Sequence, residues 1–494
     1  MTSPQAVVRA VDRPSWVPLA VVLTGGFVAF LDFFIVNVAI PSIQHDLGAG
    51  VPETQLVMVG YGAALCVGLI TGGRMGDLFG PRRMFLTGLA LFTVASAACG
   101  MAPSIWVLVG ARIVQGLASA LLAPQVLAIV GHVYTGAARA RAFGAYGLML
   151  GLSGLCGQLI GGVLIALNVG GLDWRAIFLI NLPIGAVILV LTPKTIPDIR
   201  PGAGARLDLA GAALGTVSLA AVMLPLLEGR EQGWPLWAWV SLIAAVPLFA
   251  LFITHQRRLA ARDAAPLINP GMFRSRGFTF GVTAYCVYFM SMGSFFLLFA
   301  IYMQEGKGLG ALASGLLFTT MSVGFFGSSF LATRIAARIG NQVIALGAGL
   351  VAIGYAVVAV IVAQLGTAGA PGWVAPGLLI AGFGMGLVAA PLPAAAMADV
   401  DPQHASAASG VLSTAMEGGA ALGTSLVGLV FFGALSDSPV TQDYPRAFYL
   451  SIALIVVFPV VAALLVQALP KPTTGPAPEG SGTDTSVGER VAGH

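Results

Sequence analysis

Gly72-Gly73-Arg74-Met75-Gly76-Asp77-Leu78-Phe79-Gly80-Pro81-Arg82-Arg83 is a charged, glycine-punctuated stretch between two long apolar runs, residues 56–73 and 84–101. Each run approaches the roughly 20 residues that a helix needs to cross a bilayer. The stretch between them must therefore turn the chain at a membrane face. With three arginines and one aspartate it reads as a cytoplasmic loop, because basic residues beside membrane helices are retained on the inner side. Gly76 and Gly80 let backbones approach closely. Asp77 is expected near the start of the next helix, where the helix dipole favours a carboxylate and a basic neighbour can pair with it. Such an ion pair would latch one conformation of a moving machine.

The rest of the chain fits that setting. Its 494 residues are 57% hydrophobic and 9% charged, with mean hydropathy +0.91. No soluble domain of this size leaves so few charges for its surface, so the chain reads as an all-α integral membrane protein. Fourteen apolar spans follow one another: residues 16–40, 56–73, 84–101, 105–130, 142–169, 177–191, 209–227, 236–253, 278–303, 312–332, 343–365, 374–398, 405–432 and 447–469. An even number puts both termini on one side, and the distribution of the 24 Lys and Arg makes that side the cytoplasm. The net charge of +4 then reflects topology and gives no reason to expect nucleic acid as a partner. Cys66, Cys99, Cys156 and Cys286 fall inside spans, unspaced for metal or disulfide, and read as small packing residues. Residues 16–40 are too long for a removed signal peptide and lack its cleavage pattern.

The expected organisation is a cytoplasmic lead (1–15), a six-helix bundle (16–193), basic linkers with two extra helices (194–277), a second six-helix bundle (278–469) and a disordered cytoplasmic tail (470–494). The two extra helices carry no charge at mid-depth and read as an insertion peripheral to any transport path. The second half repeats the first loosely. Aligning Gly340 with Gly80 sets Ala337 against Asp77, so a latch would be asymmetric between the halves. Pro391 and Pro393 are expected to bend or unwind the twelfth span near its inner end.

Charged groups deep inside spans are the candidate site. Asp32 lies 16 residues into the first span, about 24 Å of helical rise. Arg112 lies seven residues into the fourth, about 10 Å below the outer boundary. The two depths agree, so acid and base can offset each other's desolvation, directly or through water. Glu417 sits about 18 Å into the thirteenth span, as a proton site or a counter-charge for a cationic substrate. Asn37, Gln115 and Gln125 are the few polar points of an otherwise apolar cavity wall, which suits lipophilic or amphipathic molecules better than sugars or small ions. Gly147, Gly151, Gly154, Gly157, Gly161 and Gly162 recur at helical spacing around Gln158 in the fifth span, giving either a face on which another helix can pack and slide or a place where the helix kinks. No metal cluster, nucleophile and base pairing or phosphate loop is present in the sequence, so an enzyme and a bound cofactor are not expected.

Several of these stretches resemble one family. Gly73, Gly76, Asp77, Gly80, Arg82 and Arg83 are similar to the loop signature of the major facilitator superfamily, with Pro81 where a basic residue is common. Arg112-Ile113-Val114-Gln115-Gly116 resembles its fourth-helix signature. Gly157-Gln158-Leu159-Ile160-Gly161-Gly162 resembles its antiporter signature, with Gln158 in place of the usual proline. Asp32 through Pro41, Trp174-Arg175 and Asn181-Leu182-Pro183 are similar to the fourteen-helix drug:proton antiporter branch. The resemblance implies a 6+2+6 helix fold, alternating access, and multidrug or antibiotic efflux driven by inward proton flow. It also implies that Arg112 governs proton exchange at the first-helix carboxylate, while Gln158 puts in question a proline-set bend in helix five.

The expected function is thus a proton-coupled antiporter in a cell membrane, monomeric and in contact with lipid, with the proton gradient as its energy source. A proton-coupled importer or facilitator of a small organic nutrient uses the same scaffold and is the competing reading. The Ala- and Gly-rich composition points to a bacterial host.

Overall fold

The computed structural model describes residues 15–198, 208–229, 232–262, 266–309, 311–401, 404–435 and 441–469. The expected lead (1–15, apart from Ser15), the tail (470–494) and the linker residues 199–207 lie outside the described residues. The chain is built of helices, with no strand among the described residues. They are α1 (Val17–Leu47), α2 (Val51–Phe79), α3 (Pro81–Gly100), α4 (Ile105–Val133), α5 (Gly136–Leu167), α6 (Ala176–Leu179), α7 (Asn181–Thr195), α8 (Leu209–Glu228), α9 (Leu236–Ala261), α10 (Arg276–Ile301), α11 (Ala311–Ile339), α12 (Gln342–Leu365), α13 (Ala375–Ala389), α14 (Pro391–Ala396), α15 (Ala405–Gly433) and α16 (Asp443–Val466). Among the described residues, 13 helices are long and apolar enough to cross a membrane, α6 with α7 and α13 with α14 each making one span. The remaining expected span corresponds to α5, a helix of 32 residues.

The opening stretch is not a loop. Helix α2 runs on to Phe79 and α3 begins at Pro81, so the turn is the single residue Gly80, at φ 91°. That backbone angle is open to glycine and strained for other residues, and Pro81 suits a first helical position, where its missing N–H is not needed. Gly340 makes the same kind of turn between α11 and α12, at φ 58°. Charged residues at the membrane edge need not unwind a helix, because intrahelical bonds satisfy the backbone while long side chains reach outward.

Packing repeats between the halves. In the first, α1 packs on α5, α2 on α4 and α3 on α7; in the second, α10 packs on α15, α11 on α13 and α12 on α16. The halves meet through α2 against α15 and, in the mirrored sense, α11 against α5. Small residues permit the close crossings. A Cβ at Gly72 would run into the Ala120 carbonyl of α4, and one at Gly116 into the Tyr61 carbonyl of α2. Without a strong hydrophobic drive between helices in lipid, such backbone approach is a main source of cohesion. The break at Ala390 separates α13 from α14, beside Pro391 and Pro393.

The insertion helices pack against both halves through α8. Helix α8 packs on both α2 and α15, and the Ser425 hydroxyl of α15 donates to the Leu226 carbonyl of α8 at 3.0 Å. Helix α9 packs on α8.

Candidate functional site

Asp32 of α1 and Arg112 of α4 are both fully buried, and Arg112 Nη1 donates directly to Asp32 Oδ2. The guanidinium also donates from Nε to the Val57 carbonyl at 3.1 Å and from Nη1 to Gln115 Oε1 at 2.9 Å. It lies 4.1 Å from the ring centre of Tyr61, a cation–π contact that adds to the pair in this water-poor setting. The other carboxylate oxygen, Asp32 Oδ1, accepts from Gln115 Nε2 at 3.1 Å and from Asn181 Nδ2 at 2.8 Å. Both amides also donate to Ser96 Oγ, at 3.2 and 2.9 Å, and the Ser96 hydroxyl donates to the Phe178 carbonyl at 2.9 Å. An ion pair taken out of water persists only when its remaining lone pairs and protons are satisfied, and this network comes close to doing so.

Ser96 does not stand out in the sequence, and Asn181 stands out there only within Asn181-Leu182-Pro183, not as a partner of Asp32. Asn181, an amide opening a membrane-spanning run, carried the same signal as Asp32, a polar group in apolar sequence. Ser96, within Val94-Ala95-Ser96-Ala97, carried none.

The second centre joins the halves. Asp77 Oδ1 accepts the backbone N–H of Ser406 at 3.0 Å and Oδ2 that of Ala407 at 3.0 Å, at the first turn of α15. The helix dipole that favours this carboxylate is therefore α15's, and the expectation of the α3 terminus is corrected. The α3 terminus follows Asp77 in sequence, but its N–H groups belong to a helix on the far side of the Gly80 turn. Arg74 Nη1 stands 3.9 Å from Asp77 Oδ2. Gly73 and Gly76 make the approach possible: a Cβ at Gly73 would lie 3.1 Å from Gly410 Cα, and one at Gly76 2.8 Å from Ser406 Cβ. Arg82 and Arg83 face elsewhere. Arg82 Nη1 donates to the Ile196 carbonyl at 2.9 Å, and both arginines lie 3.7 Å from Asp198, within their own half. Ser409 Oγ donates to the Pro124 carbonyl at 2.7 Å and Arg139 Nη2 to the Met397 carbonyl at 3.4 Å, so further bonds between the halves fall at this same end.

The cavity assignments change. Gln115 is spent on the buried ion pair. Gln125 is buried too, its Nε2 bracketing α2 to α4 through the Gly72 carbonyl at 2.9 Å and the Leu121 carbonyl at 3.0 Å. Neither amide lines an open chamber, because in an apolar interior an amide finds backbone or charged partners first. The side chains of Asn37 and Gln158 lie outside the described residues. On α5, Gly157 and Gly161 seat against α1, where Cβ atoms would lie 2.9 Å from Phe34 Cβ and 2.8 Å from Ile35 Cγ1, while Gly162 is looser, 4.0 Å from Val38 Cγ1. The glycine face thus packs within its own half over Leu31–Val38, beside Asp32. Only its Gly147 and Gly151 end meets the other half, at Ala389 and Phe325.

Glu417 is partly exposed on α15 and makes no hydrogen bond among the described residues. It lies within electrostatic range of Tyr61 and Cys66 of α2, Tyr146 of α5 and Tyr285 of α10, residues from both bundles. Tyr285 packs edge-on against Phe289 at 4.8 Å. Glu417 is thus an acid set in apolar sequence, with tyrosines of both bundles in its electrostatic surroundings.

Paired helical bundles, a buried acid and base between the first and fourth helices and a carboxylate capping a helix across the halves describe a membrane transporter. Residues 22–424 match the family described as Major Facilitator Superfamily, and the chain belongs to it. It is 34% identical to the probable actinorhodin transporter of Streptomyces coelicolor over 85% of this chain and 73% of that one. It is 33% identical to the cephamycin export protein CmcT of Amycolatopsis lactamdurans, over 92% of each chain. It is also 33% identical to the puromycin resistance protein pur8 of Streptomyces alboniger, over 87% of this chain and 84% of that one. Among solved structures, the human organic anion transporter MFSD10 superposes with TM-score 0.66 at 15% identity, over 92% of this chain and 100% of that one. The last likeness is one of fold. The chain is a multi-pass membrane protein of a transporter family.

Proposed function

We propose that this protein exports hydrophobic or amphipathic antibiotic-like compounds across the cytoplasmic membrane in exchange for protons. It would act as a monomer with fourteen spans and both termini in the cytoplasm, powered by the proton gradient with no bound cofactor. The relatives named for export of, or resistance to, actinorhodin, cephamycin and puromycin support the substrate class. The observation that carries proton coupling is the direct, fully buried contact of Asp32 with Arg112.

With the Asp77 end at the cytoplasm, this conformer is closed inside. A proton reaching Asp32 from outside removes the counter-charge of Arg112 and loosens α1 from α4, which shifts the balance between the two packings of the halves. Opening at the cytoplasmic side breaks the Asp77 cap on α15, releases the proton and admits substrate between the halves, near Glu417. Glu417 supplies a second acid there, as a proton site or as the counter-charge of a cationic compound. The glycine face of α5 gives α1 a surface on which to shift.

Inverted vesicles loaded with the protein test this reading. An imposed proton gradient should drive accumulation of ethidium and of puromycin, and Asp32→Asn should abolish uphill accumulation while leaving binding partly intact. Glu417→Gln should weaken accumulation of the cationic ethidium. Gradient-driven movement in the opposite direction would mark an importer, and full uphill transport by Asp32→Asn would remove that residue from the mechanism.

A further inference from the structure

The network around Asp32 fits only one of its two charge states. Every partner of its carboxylate is a donor: Arg112 Nη1 on Oδ2, with Gln115 Nε2 and Asn181 Nδ2 on Oδ1. A carboxylate accepts all three, but a carboxylic acid carries an O–H of its own and needs an acceptor. Buried without one, that hydroxyl would forfeit its hydrogen bond in a medium where the loss is most costly.

The acceptors nearby are few. Gln115 Oε1 is already taken by Arg112 Nη1 at 2.9 Å and by Cys99 Sγ at 3.5 Å. Asn181 Oδ1 is buried and accepts no hydrogen bond, in a residue only 1% exposed. The same side chain thus holds its donor on Asp32 and an unused acceptor on the other arm of the same amide. A half-turn about χ2 exchanges the two arms. Ser96 Oγ, which accepts from the amide at 2.9 Å, is a hydroxyl and can donate to the carbonyl that replaces it.

We infer that Asn181 is a positioning residue for the coupling proton: its amide donates to ionised Asp32 and, turned over, accepts from protonated Asp32, with Ser96 reversing in step. This inference rests on proton exchange at Asp32 as proposed above. Balance is simple: one proton arrives on Asp32 Oδ1, no other bond is made or broken covalently, the hydrogen bond between Asn181 and Ser96 reverses direction, and the Ser96 hydroxyl turns away from the Phe178 carbonyl to make it. The titratable and charged groups that face Asp32 are Arg112 from α4, Tyr61 from α2 and Cys99 from α3. Tyr61 is itself tied to the Ala29 carbonyl at 3.0 Å and to Ser119 at 2.8 Å, and Cys99 to Gln115, so neither offers the new acid a free acceptor. The amide opens α7 and contacts α1 and α3 at once, so its rotation reports the charge of Asp32 to the helix that packs on α3.

Infrared difference spectra of the whole purified protein in lipid nanodiscs, taken across pH without substrate or gradient, test the switch. The Asp32 acid carbonyl band is the one lost in Asp32→Asn. The Asn181 amide band, in protein carrying carbon-13 asparagine, is the one lost in Asn181→Leu. The expected result is that the two bands change together, and that in Asn181→Leu the Asp32 acid band moves in frequency. In vesicles the same variant should displace the pH midpoint of ethidium transport by about half a unit or more while its KM stays within about twofold. Asn181→Ser, which keeps a donor and an acceptor in one hydroxyl, should restore much of the profile and guards against a variant that fails to fold. An Asp32 band that titrates while the Asn181 band stays fixed, or that is unchanged in both variants, would overturn the inference and leave the proposed function standing. An Asp32 that never protonates across the range overturns the coupling scheme, and the switch with it.

Discussion

The carboxylate of Asp77, on α2, grips the first turn of α15 at Ser406, with one oxygen 3.0 Å from the Ser406 N–H and the other 3.0 Å from the N–H of Ala407. It fills two of the four N–H positions that a helix start leaves without intrahelical partners and sets a negative charge on the positive end of the dipole. Because the two residues sit on different halves, the contact ties α2 to α15, and in the proposed cycle it breaks when this end opens.

Asp77→Asn should therefore shift a conformational balance. A carboxylate at a helix start contributes about 0.3–2 kcal/mol, so the population closed at this end should fall by roughly 2- to 30-fold, with little change in thermal stability. Distances between spin labels placed on the ends of α2 and α15 would report it. An unchanged distance distribution would deny Asp77 its role as a latch.

Arg112→Ala and Asp32→Asn should both stop uphill transport, but they should differ in stability. Removing the arginine strands a buried carboxylate, a loss of about 3–5 kcal/mol. Asparagine at position 32 carries no charge and keeps an oxygen for Arg112, so it should cost less. Thermal unfolding in detergent would rank them, and an Arg112→Ala protein as stable as the parent would show that the pair relaxes in a way the geometry does not suggest.

Two glycine substitutions should separate the interface between halves from the interface within one. A Cβ at Gly161 would stand 2.8 Å from Ile35 Cγ1, inside the first bundle. Overpacking of that kind costs about 1–3 kcal/mol, so Gly161→Ala should lower the unfolding temperature. Gly73→Ala instead pushes α2 off Gly410 of α15. It should open the Asp77 end in the same spin-label measurement and leave unfolding nearly unchanged.

Asp46, at the opposite end of α1, gives a prediction in pH. The Arg175 guanidinium, 2.5 Å away, and the Trp174 indole N–H, 3.0 Å away, hold its carboxyl below the usual range. A depressed value in the folded state means that the stabilisation is complete above the unfolded value near 4 and disappears as pH falls through the folded value. Asp46 is 42% exposed, so solvent limits the effect to less than about 1 kcal/mol. Unfolding temperatures of Asp46→Asn should lie slightly below those of the parent at pH 6, and the gap should start to close only as pH falls below about 4. A gap that widens on acidification would reverse the assignment.

Local composition made much of the fold legible. Uninterrupted apolar runs, glycine and proline at their ends and the skew of basic residues can be read because a bilayer imposes the same length and satisfaction rules on each segment separately. The depths of Asp32 and Arg112 followed from helical rise, so their meeting could be anticipated. Local rules fall short where partners are distant. Gly72 through Phe79 reads as loop because it is charged, although a helix end at the membrane edge carries charges without unwinding. Asp77 reads as a cap for the nearest helix in sequence, although its partners lie on α15, more than 300 residues further along the chain. Gln115 and Gln125 read as points on a cavity wall because they are polar, although both are buried and their Nε2 groups bond to neighbours on α1, α2, α3 or their own helix.

Sequence alone determined that this chain is a polytopic helical membrane protein with an acid and a base buried at one depth, since insertion cost and helical rise depend only on residues within a segment. Tertiary structure alone decided which donors surround that acid, which helix start the Asp77 carboxylate caps, and that Asn181 holds an unused acceptor beside Asp32. Those are relations between helices, and their physics depends on directions and distances that no single segment contains.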